Sequence, residues 1–315
     1  MGDFPRETSA PQATVDPETP TKNLREYVMT QVRGSRVRLP DFQSLLAHWP
    51  QGVHPEVDRL EQDVQRILES IFPNPEDVVR LQRTKAAKLG LFSASWWAYS
   101  SYDALKTLLH LSIWASDFRR ETLAYLNESL SDGGKRDCSA ISTNPIITGF
   151  GPVGQSIASW GDDGVDQVNM FLRELAFFIQ MVEEEQKAQA MPHLPTVDEY
   201  MKHRMGTSGV RTFLAIMESN DILSLKKEIA QSQVDSLIPL LFLELGSTQA
   251  AIDRGADMVK ASIGRFEAAE EGLLARYSNS PDSGRVLKDY IDGCKYACTA
   301  NVNWRQVHSP CVQCR

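Results

Sequence analysis

Cysteine is scarce in this chain, five residues in 315, and no stretch approaches the roughly 20 apolar residues that cross a bilayer. The N-terminus carries no basic segment followed by an apolar one, so no secretory leader is read. A cytoplasmic protein without a membrane span or disulfides is expected. Positive charge is also in deficit, 33 Lys and Arg against 41 Asp and Glu, for a net charge of −8 and a pI near 5.4. With no basic run interleaved with aromatics, nucleic acid is not an expected partner. The sequence has no Gly-rich phosphate loop, no dinucleotide fingerprint and no Ser/His/Asp order, which leaves ATPase, dehydrogenase and hydrolase chemistry without support. The six His are scattered, and His110 lies on an apolar helical pattern where a satisfied core residue is the expected reading.

Segments rich in Val, Ile and Thr with period-two alternation are missing as well, and no turn dipeptide stands between two such runs. Apolar residues instead recur at three and four, as in Val57, Leu60, Val64, Ile67, Leu68 and Ile71, and again at Leu105, Leu108, Leu109 and Ile113. The fold class read from this pattern is all-α. A 42% hydrophobic content over 315 residues is enough for one large core. Residues 1–25, rich in Pro, Thr, Glu and Asp, read as a disordered tail, with one α-helical domain over 26–315 and no internal repeat.

The stretch Asn220-Asp221-Ile222-Leu223-Ser224-Leu225-Lys226-Lys227-Glu228 places an amide, a hydroxyl and a carboxylate four residues apart. At 3.6 residues per turn Asn220, Ser224 and Glu228 drift by only about 80° around a helix, so their oxygens can converge on one small object. A hard cation such as Mg²⁺ takes such oxygens and shares itself with a substrate phosphate. Polar residues at this spacing also describe the solvated stripe of an amphipathic helix, and spacing alone does not separate the two.

The residue types in this stretch resemble the second metal motif of class I terpene synthases, especially the fungal sesquiterpene cyclases. Other segments resemble the family in the same order. The run Leu91-Phe92-Ser93-Ala94-Ser95-Trp96-Trp97 resembles its aromatic segment, and Asn301-Val302-Asn303-Trp304 its terminal Asn-x-x-Trp. Tyr200-Met201-Lys202-His203-Arg204-Met205-Gly206-Thr207 resembles its Tyr-x-x-x-Arg-Arg-x-Thr block. The resemblance implies a single-domain isoprenoid-synthase helical fold and Mg²⁺ as cofactor. It also implies a linear prenyl diphosphate as substrate, most simply farnesyl diphosphate, ionised and cyclised to a sesquiterpene. Asn220, Ser224 and Glu228 would then hold metal, and Arg204 and Lys227 would bind the diphosphate. Phe92, Trp96 and Trp97 are candidates for a cation-stabilising wall, with core packing as the more frequent role of such residues.

The chain departs from the family in four places. The Asp-rich motif is missing, and Asp117 is the one carboxylate where it is expected, a position that also suits a helix N-cap. Asp162-Asp163-Gly164-Val165-Asp166 is a later acidic cluster that reads as a loop and first helical turn. About thirty residues, some 45 Å of helical rise, are missing before Asn220, so parts of the family core are absent. The second Arg of the usual pair is Met205, which leaves open which of the two positions senses diphosphate, and the Arg-Tyr pair after Trp304 is missing. Gly206 and Gly209 suggest a helix break. Two alternatives follow. One is a catalytically impaired homologue acting as a binding protein. The other is a zinc site built from Cys294, Cys298, His308, Cys311 and Cys314, against which buried packing of the Cys294/Cys298 pair is the more frequent reading.

Overall fold

A computed structural model describes residues 21–72, 74–114, 123–125, 127–128, 141–142, 144–148, 164–191, 193–207 and 214–308. Among these residues the regular elements are all helices. In chain order they are α1 (Thr21–Val32), α2 (Phe42–Leu45), α3 (Val57–Ile71), α4 (Val78–Ala86), α5 (Leu89–Trp96), α6 (Tyr102–Trp114) and α7 (Pro145–Thr148). Then follow α8 (Gly164–Gln189), α9 (Val197–Thr207), α10 (Leu214–Ala230), α11 (Leu237–Leu245), α12 (Thr248–Arg276) and α13 (Pro281–His308). No helix among the described residues is long and apolar enough to cross a membrane.

The apolar periodicity sorts these helices around two cores. One gathers Val28 and Val32 of α1, Ile222, Leu225 and Ile229 of α10, the α11 run Leu237–Phe242, and Ala251, Ile252, Val259 and Ile263 of α12. The second gathers Leu60, Val64 and Leu68 of α3, Leu105, Leu109 and Ile113 of α6, and Leu175 and Ile179 of α8. Helix α11 is buried all round from Leu237 to Phe242, which its unbroken apolar spelling requires. Its Pro239 falls in the first turn, where no intrahelical N–H bond is lost. Gly246, at φ +69°, takes the left-handed position that closes the helix, its N–H donating to the Phe242 carbonyl at 2.8 Å. Gly255 lets α12 approach α10 closely: a Cβ there would stand 3.1 Å from Ile222 Cδ1.

The ordered chain begins earlier than the tail expected over 1–25, since α1 starts at Thr21. The reason is tertiary. Val28 is fully buried, and Arg25 makes an ion pair with Asp235 ahead of α11, contacts that outweigh the poor composition of the flanking residues.

One polar cluster braces the second core. Asp63 of α3, its side chain 6% exposed, accepts from Tyr102 Oη at 2.9 Å and pairs with Arg66 and with Lys106 Nζ at 3.4 Å. Burial alone would raise the Asp63 carboxyl, but the Tyr102 hydroxyl, Lys106 and Arg66 together hold it below its ordinary value. A carboxyl whose folded pKa lies below its unfolded one stabilises the fold above the unfolded value, and that contribution is lost as pH falls through the folded value. Asp63→Asn is therefore expected to lower the urea midpoint at pH ~7 and to flatten its decline between about pH 5 and 3. An identical pH slope in wild type and variant would show that Asp63 is not held this way.

Candidate metal and anion site

Helices α9 and α10 meet at the residues singled out in the sequence. A reciprocal cap fixes the start of α9: Glu199 Oε2 accepts from the Thr196 N–H at 2.9 Å, and Thr196 Oγ1 accepts from the Glu199 N–H at 3.2 Å. With the first turn set, Tyr200 and Arg204, one turn apart, face the same side. Helix α10 ends in a two-bond closure, Gln233 N–H to Glu228 C=O at 2.9 Å and Ser232 N–H to Ile229 C=O at 3.1 Å, with Ser232 left-handed at φ +59°. That closure pins the backbone beneath Glu228.

On α10 the inward side carries Asp221 and Ser224, 1% and 4% exposed, and Glu228, three and seven residues from Asp221. Ser224 Oγ donates to Glu228 Oε1 at 2.5 Å, and Glu228 Oε2 is buried without a hydrogen-bond partner. Asp221 accepts from Tyr200 Oη on Oδ2 at 2.6 Å and from Arg204 Nη2 on Oδ1 at 3.3 Å. Arg204 Nε is buried with no partner. Burial pushes the Asp221 carboxyl up to about 6, with Glu228 adding to the rise, even though Arg204 and Tyr200 favour its charge. For Arg204, burial works downward but is outweighed by Asp221, Tyr200, Glu185 and Glu228, which hold the guanidinium above its ordinary value.

Of the residues expected in the site, Ser224, Glu228 and Arg204 come together, and Asn220 lies in the same helix one turn before Ser224. Lys227 is exposed, in the last turn of α10. Between the two candidate sensing positions, Arg204 is turned to Asp221 while Met205 is 39% exposed. Asp117, Asp162 and Asp163 lie outside the described residues, as do Gly209, Cys311 and Cys314. Asp221, Tyr200 and Glu185 were not among the expected site residues. Asp221 carried a signal all the same, since its spacing of three and seven to Ser224 and Glu228 puts it on their face.

One expectation is corrected. Gly206 is no break: it sits inside α9, buried, where a Cβ would come within 2.2 Å of Met181 Cγ on α8. Its role is close helix approach. Cys294 and Cys298 are buried free thiols of α13, and burial pushes both thiols up, which disfavours the thiolate a metal would need and agrees with their reading as packing residues. Phe92, Trp96 and Trp304 stack between α5 and α13, with centroids 4.8 Å apart for Phe92–Trp96 and 5.2 Å for Phe92–Trp304. A cavity of about 550 Å³ lies elsewhere, lined by Leu123, Asn127, Asn169, Leu172, Arg173 and Ala176.

Among the described residues no group of three or more His, Cys, Asp or Glu is placed to hold a metal ion. What α10 offers is a set of oxygens, with one carboxylate oxygen of Glu228 unspent, and an excess of acid over base around Arg204. Such a set fits a hard divalent cation that completes its shell with water and an anionic ligand. Gly206→Ala is expected to force α8 and α9 apart and cost about 1–3 kcal/mol, as overpacking does. Chemical denaturation measures this, and an unchanged midpoint would mean that the two helices are not in close contact.

Three comparisons bear on this arrangement. Residues 117–219 match the family described as terpene synthase family 2, C-terminal metal binding; the match takes in Tyr200 and Arg204 and stops one residue short of Asn220. The chain is 26% identical to the sesquiterpene cyclase hepA of Aspergillus oryzae, with 90% of each chain covered, and 22% identical to the terpene cyclase braA of Annulohypoxylon truncatum, with 93% of this chain and 90% of that one covered. The first alignment, 340 positions against a chain of 315 residues, includes positions where this chain has no residue. A crystal structure of the linalool/nerolidol synthase of Streptomyces clavuligerus shares the fold with a TM-score of 0.65 at 17% identity, covering 82% of this chain and 97% of that one.

Proposed function

Because the chain belongs to the class I terpene synthases of the fungal type, we propose that it is a cyclase of a linear prenyl diphosphate, with farnesyl diphosphate as the substrate. The observation that carries this reading is the pairing across α9 and α10. An Arg204 guanidinium with a buried, unspent Nε stands in the same cluster as a Glu228 carboxylate with a buried, unspent oxygen.

In this reading Arg204 binds diphosphate oxygens, as its planar fork of donors suits, and stays charged throughout. Asn220, Ser224 and Glu228 would hold Mg²⁺, the family's usual metal, which when bound supplies Lewis-acid stabilisation of the diphosphate leaving group. Ser224 fixes the Glu228 carboxylate through its 2.5 Å hydrogen bond, so that the second oxygen is directed and not free to rotate. The allylic C–O bond breaks with its electron pair leaving on the diphosphate. The carbocation closes onto a double bond of the same chain, and loss of a proton or addition of water ends the reaction. Exclusion of bulk water from the cation falls to apolar helix faces. Lys227, exposed at the end of α10, is assigned to the diphosphate's outer side.

The missing Asp-rich motif favours one other reading, a homologue that binds the diphosphate without turning it over. Incubation of the purified protein with farnesyl diphosphate, with and without Mg²⁺, decides between them. The expected outcome is a metal-dependent terpene product, lost in Asn220→Ala/Glu228→Ala and reduced about 100- to 1000-fold in Arg204→Ala, the usual cost of removing one donor from a developing anion. Magnesium-dependent diphosphate binding without product would support the binding protein, and neither binding nor product would reject both.

A further inference from the structure

Asp221 and Tyr200 are not needed to hold a cation or an anion, yet both are deeply buried, 1% and 7% exposed. Their geometry bears on how Arg204 is held. An Arg beside a carboxylate usually forms a fork, two parallel N–H bonds to the two oxygens of one carboxylate. In its side-on form the donors are Nε and one terminal nitrogen. Here only half the fork is made: Nη2 reaches Oδ1 at 3.3 Å, at the long end of the hydrogen-bond range, and Nε has no partner. The second oxygen points to Tyr200: Oδ2 accepts the Tyr200 hydroxyl at 2.6 Å, which sets the rotation of the carboxylate.

We propose that Tyr200 is a positioning residue that keeps Arg204 exchangeable: its hydroxyl orients the Asp221 carboxylate so that Arg204 meets it through a single long bond, which a diphosphate can displace. This rests on the reading of Arg204 as the diphosphate-binding group. Asp221 serves as an internal counter-ion. It holds the buried guanidinium in place while no anion is bound, since an unpaired buried charge is costly. It also competes with the ligand for the same donors. The Tyr200 hydroxyl sets the strength of that competition, being one helical turn from Arg204 on α9 and aimed at the same carboxylate.

Isothermal titration of inorganic diphosphate into the full-length protein, at saturating Mg²⁺, tests this without turnover. Asp221→Asn removes the competing charge and is expected to bind diphosphate about 3- to 10-fold more tightly than wild type. Tyr200→Phe frees Oδ2 for a full fork and is expected to bind it about 3- to 10-fold more weakly. The double variant, with no carboxylate to compete, should bind like Asp221→Asn alone. A merely structural role for either residue predicts weaker binding in all three. Weaker binding in Asp221→Asn, or a double variant as weak as Tyr200→Phe, overturns the proposal. A Tyr200→Phe variant that does not fold gives the hydroxyl a structural role and likewise overturns the proposal. Arg204→Ala separates this from failure of the underlying reading: if it binds diphosphate as wild type does, Arg204 is not the diphosphate group and both readings fall together.

Discussion

A carboxylate buried to 1% exposure must be matched by donors or neutralised, and Asp221 is matched from outside its own helix. Both partners, Tyr200 and Arg204, come from α9. The register of α9 against α10 is therefore set by this one group, and with it the position of Arg204 relative to Ser224 and Glu228. The reciprocal cap at Thr196 and Glu199 and the closure at Ser232 and Gln233 fix the far ends of the two helices. Between these points there is little freedom to slide.

Packing supports the same arrangement from behind. Ile222, next to Asp221, sits against the bare backbone of Gly255 on α12, and Leu225 and Ile229 continue the contact into the first core. On the other side Gly206 brings α9 onto Met181 of α8. Two glycines within helices, each a small local cost, thus draw α8, α9, α10 and α12 together around a polar cluster that apolar packing alone would disfavour. The balance is a site rigid in backbone and underused in hydrogen bonds, with Arg204 Nε and Glu228 Oε2 both unspent, which suits a site that gains its missing partners only with a ligand.

The helical nature of the chain was legible because apolar residues at three and four leave no other regular solution, as in α3 and α6. The Ser224–Glu228 pairing was legible because the two residues are one turn apart and their bond is local to one helix. Arg204 was legible through a resemblance, but its orientation was not: Met205 is its neighbour in sequence, and only the facing helix decides which of the two turns inward. Gly206 misled for a related reason. In sequence a glycine within a helical pattern signals a break, while in space it can mark a contact, here with Met181 on the preceding long helix.

By itself the sequence determined the fold class, the family resemblance and which oxygens share one face of α10, since each depends on spacing within one helix or on spelling within one segment. Only the tertiary structure decided that Tyr200 and Arg204 share Asp221, that α1 begins at Thr21 through Arg25 and Asp235, and that Cys294 and Cys298 are packing residues. These features join residues far apart in the chain, and burial, which sets the cost of every unpaired charge, exists only once the helices have met.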